Sequence, residues 1–271
     1  MIDEVCKRGL VLIGCGFMGR SLLEGWLSKG VAPEAFYVSD PNPSAWLAAQ
    51  TEINVNTPLP ADPAAVFIAT KPQILDHVLP PFAHLGNAYT VVVSIAAGVG
   101  VARFETAFGA DTPIVRAMPN LPATVGEGIT ALYCNGNVTD AQRQLITELF
   151  EGVGTVVDVD EEQQLHAITA LSGSGPAYAF AFADALSKAG TALGLAPEMA
   201  KTLAYQTLKG AGCMLTARDA DAVALRNAVT SKGGTTAAGL SEFGHEINGV
   251  DLLVQRTLDA AHCRSIELSN T

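Results

Sequence analysis

The sequence predicts an α/β protein: a doubly wound, mostly parallel sheet over residues 1–160, followed by an all-α half over residues 161–271. Three observations carry that expectation. Short apolar runs alternate with helix-compatible stretches through the first half, which implies parallel strands covered by helices. After about residue 160 the pattern turns helical and no convincing strand remains. Between them lies an acidic stretch, Asp158 to Glu162, where the boundary is placed.

The elements follow in order. Leu10-Val-Leu-Ile-Gly14 is a short apolar run closed by glycine, and Ser21 to Lys29 spaces Leu22, Leu23, Trp26 and Leu27 along one helix face. Further strands are expected at Ala35 to Ser39, Ala65 to Thr70, Thr90 to Ile95 and Thr112 to Ala117. Helices are expected at Glu161 to Gly194, Pro197 to Thr216, Ala220 to Val229 and Gly249 to Ile266. Residues 177–193 are apolar nearly all the way round if helical, so this helix must be covered on every side. A half of this size has little room to do so alone. The expectation is that a second subunit completes its core, which makes this half a dimerisation domain.

Composition narrows the partners. With 27 acidic against 16 basic residues and a formal net charge of -11, the surface repels nucleic acid and anionic membranes. A small molecule or another protein is expected instead. The cysteines Cys6, Cys15, Cys134, Cys213 and Cys263 are scattered, odd in number and without metal-ligand spacing, which suits a reduced, cytoplasmic chain. No secretory signal is expected in Met1 to Arg8, which carries two acids and no apolar run. Ala177 to Leu195 is cut by Asp184 and Lys188, which argues against a membrane span. His77, His84, His166, His245 and His262 show neither metal-ligand spacing nor a neighbouring nucleophile, so no metal site is expected.

Gly14-Cys-Gly-Phe-Met-Gly19 follows a predicted strand and opens a predicted helix. In a Rossmann-like fold the first glycine makes the tight turn, the second lets backbone approach a pyrophosphate, and the third packs helix on strand. The helix start, with Phe17 and Met18 in its first turn, offers free N–H groups and a partial positive charge. Asp40 ends the second strand and either accepts the ribose hydroxyls of NAD or starts the turn through Pro41, Asn42 and Pro43. Ser39 and Asn42 can donate to a 2′-phosphate, so NADPH and NADH both remain open as cofactor. Ala69-Thr70-Lys71-Pro72 and Ala96-Ala97-Gly98 end later strands in small or turn-forming residues that leave room for a flat ring. Lys71 either meets a phosphate or ribose or is a solvated turn lysine. Asn120 either binds a carboxamide or caps the turn before Pro122.

A second glycine-rich stretch lies in the helical half. Ser231, Thr235 and Thr236 surround Gly233-Gly234 just before a helical pattern resumes at Ala237, Ala238 and Leu240. An N-cap needs one such residue. Several donors without an acid among them suit a bound carboxylate better.

Val229-Thr-Ser-Lys-Gly-Gly-Thr-Thr236, Leu171-Ser-Gly-Ser-Gly-Pro-Ala-Tyr178, Thr70-Lys-Pro-Gln73, Ala96-Ala-Gly98 and Met118-Pro-Asn120 together resemble pyrroline-5-carboxylate reductase. The resemblance implies hydride transfer from NAD(P)H to C5 of 1-pyrroline-5-carboxylate, giving L-proline in the last step of proline biosynthesis. It further implies that the segment from Ser231 to Thr236 binds the substrate carboxylate, that the Thr236 hydroxyl lies near the ring nitrogen, and that Glu162 lies near the substrate. Intertwined dimers, often assembled as decamers, and an active site completed across the dimer are also implied. This chain departs from the family pattern at Ala228, where asparagine is usual, and in a shortened stretch near Asn54 to Pro60, where Asn56 stands as a candidate near the adenosine. Reduction of another cyclic imine, a β-hydroxyacid dehydrogenase relative and a non-enzymatic cofactor-binding regulator are the alternatives.

Overall fold

The computed structural model describes residues 2–217 and 219–269. The chain opens with helix α1 (Ile2–Arg8), strand β1 (Leu10–Ile13) and helix α2 (Phe17–Ser28). Strand β2 (Phe36–Ser39), the short helix α3 (Ala45–Ala48), strands β3 (Asn54–Val55) and β4 (Ala65–Ile68), helix α4 (Leu75–Val78), strand β5 (Val91–Ser94) and helix α5 (Val101–Phe108) follow. Then come β6 (Ile114–Met118), β7 (Gly128–Cys134), α6 (Asp140–Glu151) and β8 (Gly154–Asp158).

These strands form one sheet in the order β3-β2-β1-β4-β5-β6-β7-β8. All neighbours are parallel except β6 and β7. Strand order reverses between β1 and β4, and ligands of such sheets bind outside the strand ends at that reversal.

The central strands are buried on both faces, which explains why they read as unbroken apolar runs. On one face Leu10, Leu12 and Phe67 join Leu22, Trp26, Phe36 and Phe150. On the other Val11, Ile13 and Ile68 meet Leu75, Phe104 and Phe108. Trp26 stacks on Phe36 at 5.9 Å, meets Phe67 edge-on at 4.7 Å, and donates its indole N–H to the Leu149 carbonyl at 2.9 Å. Burying aromatic side chains of this kind contributes about 1.5–3 kcal/mol each.

Strands β7 and β8 were not among the sequence expectations. Strand β8 is half exposed at a sheet edge, so it lacks the apolar run that marked its neighbours. Helix α6 carries its own signal: Thr139 and Gln142 form a reciprocal capping box at its start.

The helical half begins with α7 (Gln164–Ile168), a π turn over Thr169–Gly173 and α8 (Gly175–Ala192). One helix was expected from Glu161 to Gly194, but Pro176 has no N–H to continue an earlier helix and sits instead in the first turn of α8. Helices α9 (Pro197–Leu215), α10 (Ala222–Ala228), α11 (Thr235–Phe243) and α12 (Val250–Ser269) complete the chain. Asp221 caps α10 by accepting the Ala224 N–H at 2.6 Å.

The chain clusters into two compact units, Met1–Ser174 with Ala261–Thr271, and Gly175–Ala260. The second unit packs α8 against α9, with Phe182 against Phe243. Of α8, only Ala183 is buried. Phe180 is 59% exposed and Leu193 87%. Apolar surface on that scale marks an interaction face. Among the described residues no helix is long and apolar enough to cross a membrane, and no cluster of side chains could hold a metal ion. All five cysteines are free.

Candidate functional sites

The first site lies in the sheet unit, where β1 and β4 diverge. Gly14 donates its N–H to the Ser39 carbonyl at 2.8 Å, and Ala69 donates to the Ile13 carbonyl at 2.8 Å, so the glycine loop rests on the ends of both neighbouring strands. Gly14 has φ 88°, and a Cβ there would meet Thr70 Cγ2 at 2.7 Å. A Cβ on Gly19 would meet the Gly14 carbonyl oxygen at 2.6 Å, so α2 docks on the strand end only through bare backbone. Gly16, by contrast, opens on empty space. It stands at the N-cap of α2 with no side chain accepting from the first turn. The amides of Phe17, Met18 and Gly19 therefore keep their donors for an outside anion.

Asp40 resolves into a fixed geometry. Its Oδ2 accepts the Cys15 N–H at 2.7 Å and its Oδ1 the Asn42 N–H at 2.8 Å. The turn reading thus holds on Oδ1, and Oδ2 is taken by the glycine loop, a contact the sequence did not announce. Asn56 lies on the backbone of Asp40, accepting its N–H at 3.0 Å and donating to its carbonyl at 2.8 Å. Burial, with the Asp40 carboxylate behind it, pushes the Cys15 thiol up to about 11, so this cysteine stays protonated and unreactive.

Thr70 Oγ1 is buried and hydrogen-bonds to nothing among the described residues. A buried hydroxyl in that state is the kind of group a ligand satisfies. Lys71 is exposed, leads into the turn Pro72–Ile74 and has no ion-pair partner among the described residues. Ala96 is buried and donates its N–H to Ser94 Oγ at 3.2 Å, with Ala97 half-buried beside it. Asn120 is buried too, but its amide is used within the protein: Oδ1 accepts the Ile129 N–H at 3.0 Å and Nδ2 donates to the Ser172 carbonyl at 3.2 Å. Its side chain therefore does not cap the turn before Pro122, the structural role expected from sequence; the amide ties the turn to Ile129 of β7 and to the backbone of Ser172 instead.

Glu162 also falls in this unit. Its Oε1 accepts the Val101 N–H at 2.7 Å and an Arg116 N–H at 2.7 Å. Sequence reasoning missed Arg116. A lone cation inside the apolar run Ile114–Met118 was the available signal, since a charge in a buried strand requires a partner. His166, dismissed as catalytic from sequence, pairs through Nδ1 with the buried Ser265 hydroxyl at 2.9 Å.

The second site lies in the helical unit, at the start of α11. Gly233 adopts φ 70°, and Gly234 takes the N-cap position without a capping side chain. Gly234 donates back to the Ser231 carbonyl at 3.0 Å, closing the turn. The hydroxyls of Ser231, Thr235 and Thr236 are exposed around the open helix end, and the amides of Thr235 and Thr236 point into it with no capping acceptor. Ala228 is the last residue of α10 and exposed.

Two open helix starts, one at the switch point of a doubly wound sheet and one in a helical unit, place the chain among α/β proteins of the dinucleotide-binding type, with a second uncapped glycine turn. A family model described as pyrroline-5-carboxylate reductase dimerisation matches residues 162–268, and one described as NADP oxidoreductase coenzyme F420-dependent matches residues 9–98. The pyrroline-5-carboxylate reductase of Pseudomonas aeruginosa is 38% identical over 265 residues, covering 96% of each chain. The structure of a pyrroline-5-carboxylate reductase from Coxiella burnetii superposes with a TM-score of 0.88 at 34% identity, over 97% of this chain and 99% of that one. Pyrroline carboxylate reductase from Plasmodium falciparum, crystallised with NADP bound, gives a TM-score of 0.82 at 28% identity, over 96% of this chain and 98% of that one. The chain belongs to the pyrroline-5-carboxylate reductase family.

Proposed function

We propose that the protein reduces 1-pyrroline-5-carboxylate to L-proline with NADPH or NADH. The observation that carries this is the open start of α11, where free amides and three hydroxyls converge with no acid among them. Such a turn suits the carboxylate of a small ring. Gly14, Gly16, Phe17, Met18 and Gly19 hold the cofactor pyrophosphate, with Ser39, Asp40 and Asn42 at the adenosine ribose. Ala69, Thr70, Lys71, Pro72, Ala96 and Ala97 line the crevice further along. The orphaned Thr70 hydroxyl and the uncapped start of α2 both fit a bound dinucleotide.

When bound, the reduced nicotinamide supplies the hydride that adds to C5 of the protonated imine. Ser231, Gly233, Gly234 and Thr235 grip the substrate carboxylate. As hydride reaches C5 the π electrons move onto the ring nitrogen, and Thr236 donates its hydroxyl hydrogen to the lone pair that develops there, a neutral contact that avoids the cost of burying a lysine charge. A protonated imine is already electrophilic, so the chain's task is placement. Correct placement of reacting groups is worth roughly 7–11 kcal/mol of barrier.

The apolar surface of α8 supports a homodimer, which the family resemblance extends to a decamer; the acidic charge supports a protein without nucleic-acid or membrane partners, and the five scattered free cysteines suit a reduced, cytoplasmic one. The test is cofactor oxidation with pyrroline-5-carboxylate, run against ring-size analogues. Proline formed stoichiometrically supports the proposal. Cofactor binding without turnover of any cyclic imine would overturn it in favour of a regulator.

A further inference from the structure

Among the described residues, Arg116 is the one charged residue that is buried. It sits on β6 directly beside Ser94 of β5, and Ser94 Oγ accepts the Ala96 N–H that begins the loop from β5 to α5. That loop runs through Gly98, at φ 77° against Leu268, to Gly100 at the N-cap of α5. Gly100 has no side chain with which to cap, and α5 has no side-chain cap of its own. The acceptor comes from Glu162, at a sequence separation of 61 residues, whose Oε1 takes the first helical N–H, that of Val101. The same oxygen takes the Arg116 guanidinium. One carboxylate oxygen therefore joins the far end of the loop to the buried cation beneath its near end.

We propose that Glu162 is a positioning residue for the cofactor, supplying from a distant part of the same chain the cap that α5 lacks and so fixing the Ala96–Ala97–Gly98 loop, while Arg116 keeps the carboxylate aimed. The inference rests on the proposed function in taking that loop as part of the cofactor crevice. It replaces a substrate-contact role for Glu162 with one on the cofactor side. A capping acceptor that also carries a charge-assisted hydrogen bond holds its backbone more tightly than a neutral one. Loop and helix start are thereby held in one conformation before the cofactor arrives, which lowers the ordering cost of binding.

The geometry offers its own control. Gly100 has φ -75° and ψ 157°, the extended conformation of a normal N-cap residue. A Cβ there would meet only Glu162 Oε1, at 3.6 Å. Gly100→Ser therefore fits, and once Glu162 is truncated its hydroxyl can cap α5 locally.

The experiment measures the dissociation constant of NADPH by fluorescence titration of the full-length protein without substrate, alongside KM for pyrroline-5-carboxylate at saturating cofactor. Glu162→Ala should weaken cofactor binding about tenfold while KM for the imine stays within about twofold. Glu162→Gln, which keeps an oxygen for Val101, should fall between. Adding Gly100→Ser to Glu162→Ala should restore most of the lost affinity. A raised imine KM with unchanged cofactor affinity would overturn the proposal, making Glu162 a substrate ligand. So would failure of Gly100→Ser to restore binding in a folded double variant. Should the wild type bind NADPH yet reduce no pyrroline-5-carboxylate, the proposed function fails while the titration still decides the role of Glu162.

Discussion

Asn56 holds Asp40 by both ends of its peptide, accepting the N–H at 3.0 Å and donating to the carbonyl at 2.8 Å. To reach both it adopts φ 53°, a left-handed conformation that costs most side chains free energy but that asparagine tolerates. Replacing it separates the two effects. Asn56→Gly keeps the backbone conformation and loses both hydrogen bonds, whereas Asn56→Ala loses the bonds and adds strain. Because the pair is exposed, the loss in Asn56→Gly should be small, about 1 kcal/mol. Asn56→Ala should cost roughly 1–2 kcal/mol more. Equal denaturation midpoints for the two variants would show that the left-handed turn carries no strain.

Asp40, in the proposed cofactor crevice, has one carboxylate oxygen on the Cys15 N–H and the other on the Asn42 turn. A carboxylate fixed there disfavours a second anion at the ribose, and no lysine or arginine occurs between Ser39 and Asn56 to offset it. Asp40→Asn keeps acceptor capacity while removing the charge. The ratio of kcat/KM for NADPH over NADH should then rise at least severalfold, since like charges about 4 Å apart repel by about 1 kcal/mol even at the dielectric of bulk water. An unchanged ratio would place the 2′ position of the ribose away from Asp40.

The two cofactor-end examples show what a linear reading can reach. The glycine loop was legible because its signals are local: an apolar run, three spaced glycines, then the Leu22 and Trp26 face of α2. Asp40 was legible as a ribose acceptor or a turn former, and only the structure shows that one oxygen serves the turn while the other takes the Cys15 N–H of the glycine loop. The partnership of Arg116 with Glu162 was not legible. A cation in an apolar strand announces that it needs an acid, but not which of several in the Asp158 to Glu162 stretch will arrive through the fold. Strands β7 and β8 escaped for a related reason: β7 runs antiparallel to β6, and β8 is a half-exposed edge, so neither shows the doubly buried pattern of the parallel strands.

Thr236 lies in the first turn of α11, and its hydroxyl caps nothing, so its removal should not disturb the helix start. Thr236→Val is close to isosteric. If the hydroxyl donates to the ring nitrogen in the transition state, its loss should cost about 2.7–4 kcal/mol, read as a fall in kcat with a much smaller change in KM. A variant with wild-type kcat would remove Thr236 from the chemistry and leave it a role in binding only.

His166 supplies a pH dependence of stability. Burial, then the Arg116 and His262 charges, hold its imidazole below the ordinary 6.5, with Glu162 opposing them. The unfolded chain then binds more protons than the native one below that value, so stability is full above pH 6.5 and declines as the solution is acidified toward the folded value. Chemical denaturation at a series of pH values should show this decline in the wild type. His166→Gln, which can still pair with Ser265, should flatten it. Parallel curves for the two proteins would assign the decline to other groups.

The last prediction concerns the helical unit. Residues 177–193 are apolar nearly all round, yet of α8 only Ala183 is buried, and Phe180 remains 59% exposed. A single chain leaves that surface in water, a cost that a second copy removes by burying it. Phe180→Glu should place a charge in the resulting interface and shift the mass measured by light scattering at micromolar concentration toward the monomer. Lys188 lies on the same helix but is exposed and paired with Asp184 at 2.5 Å, one turn away. Lys188→Ala should leave the mass unchanged, because an exposed pair of this kind contributes little. If Phe180→Glu also kept the wild-type mass, the dimer contact would have to lie on another face, and the exposed side of α8 would need a different explanation.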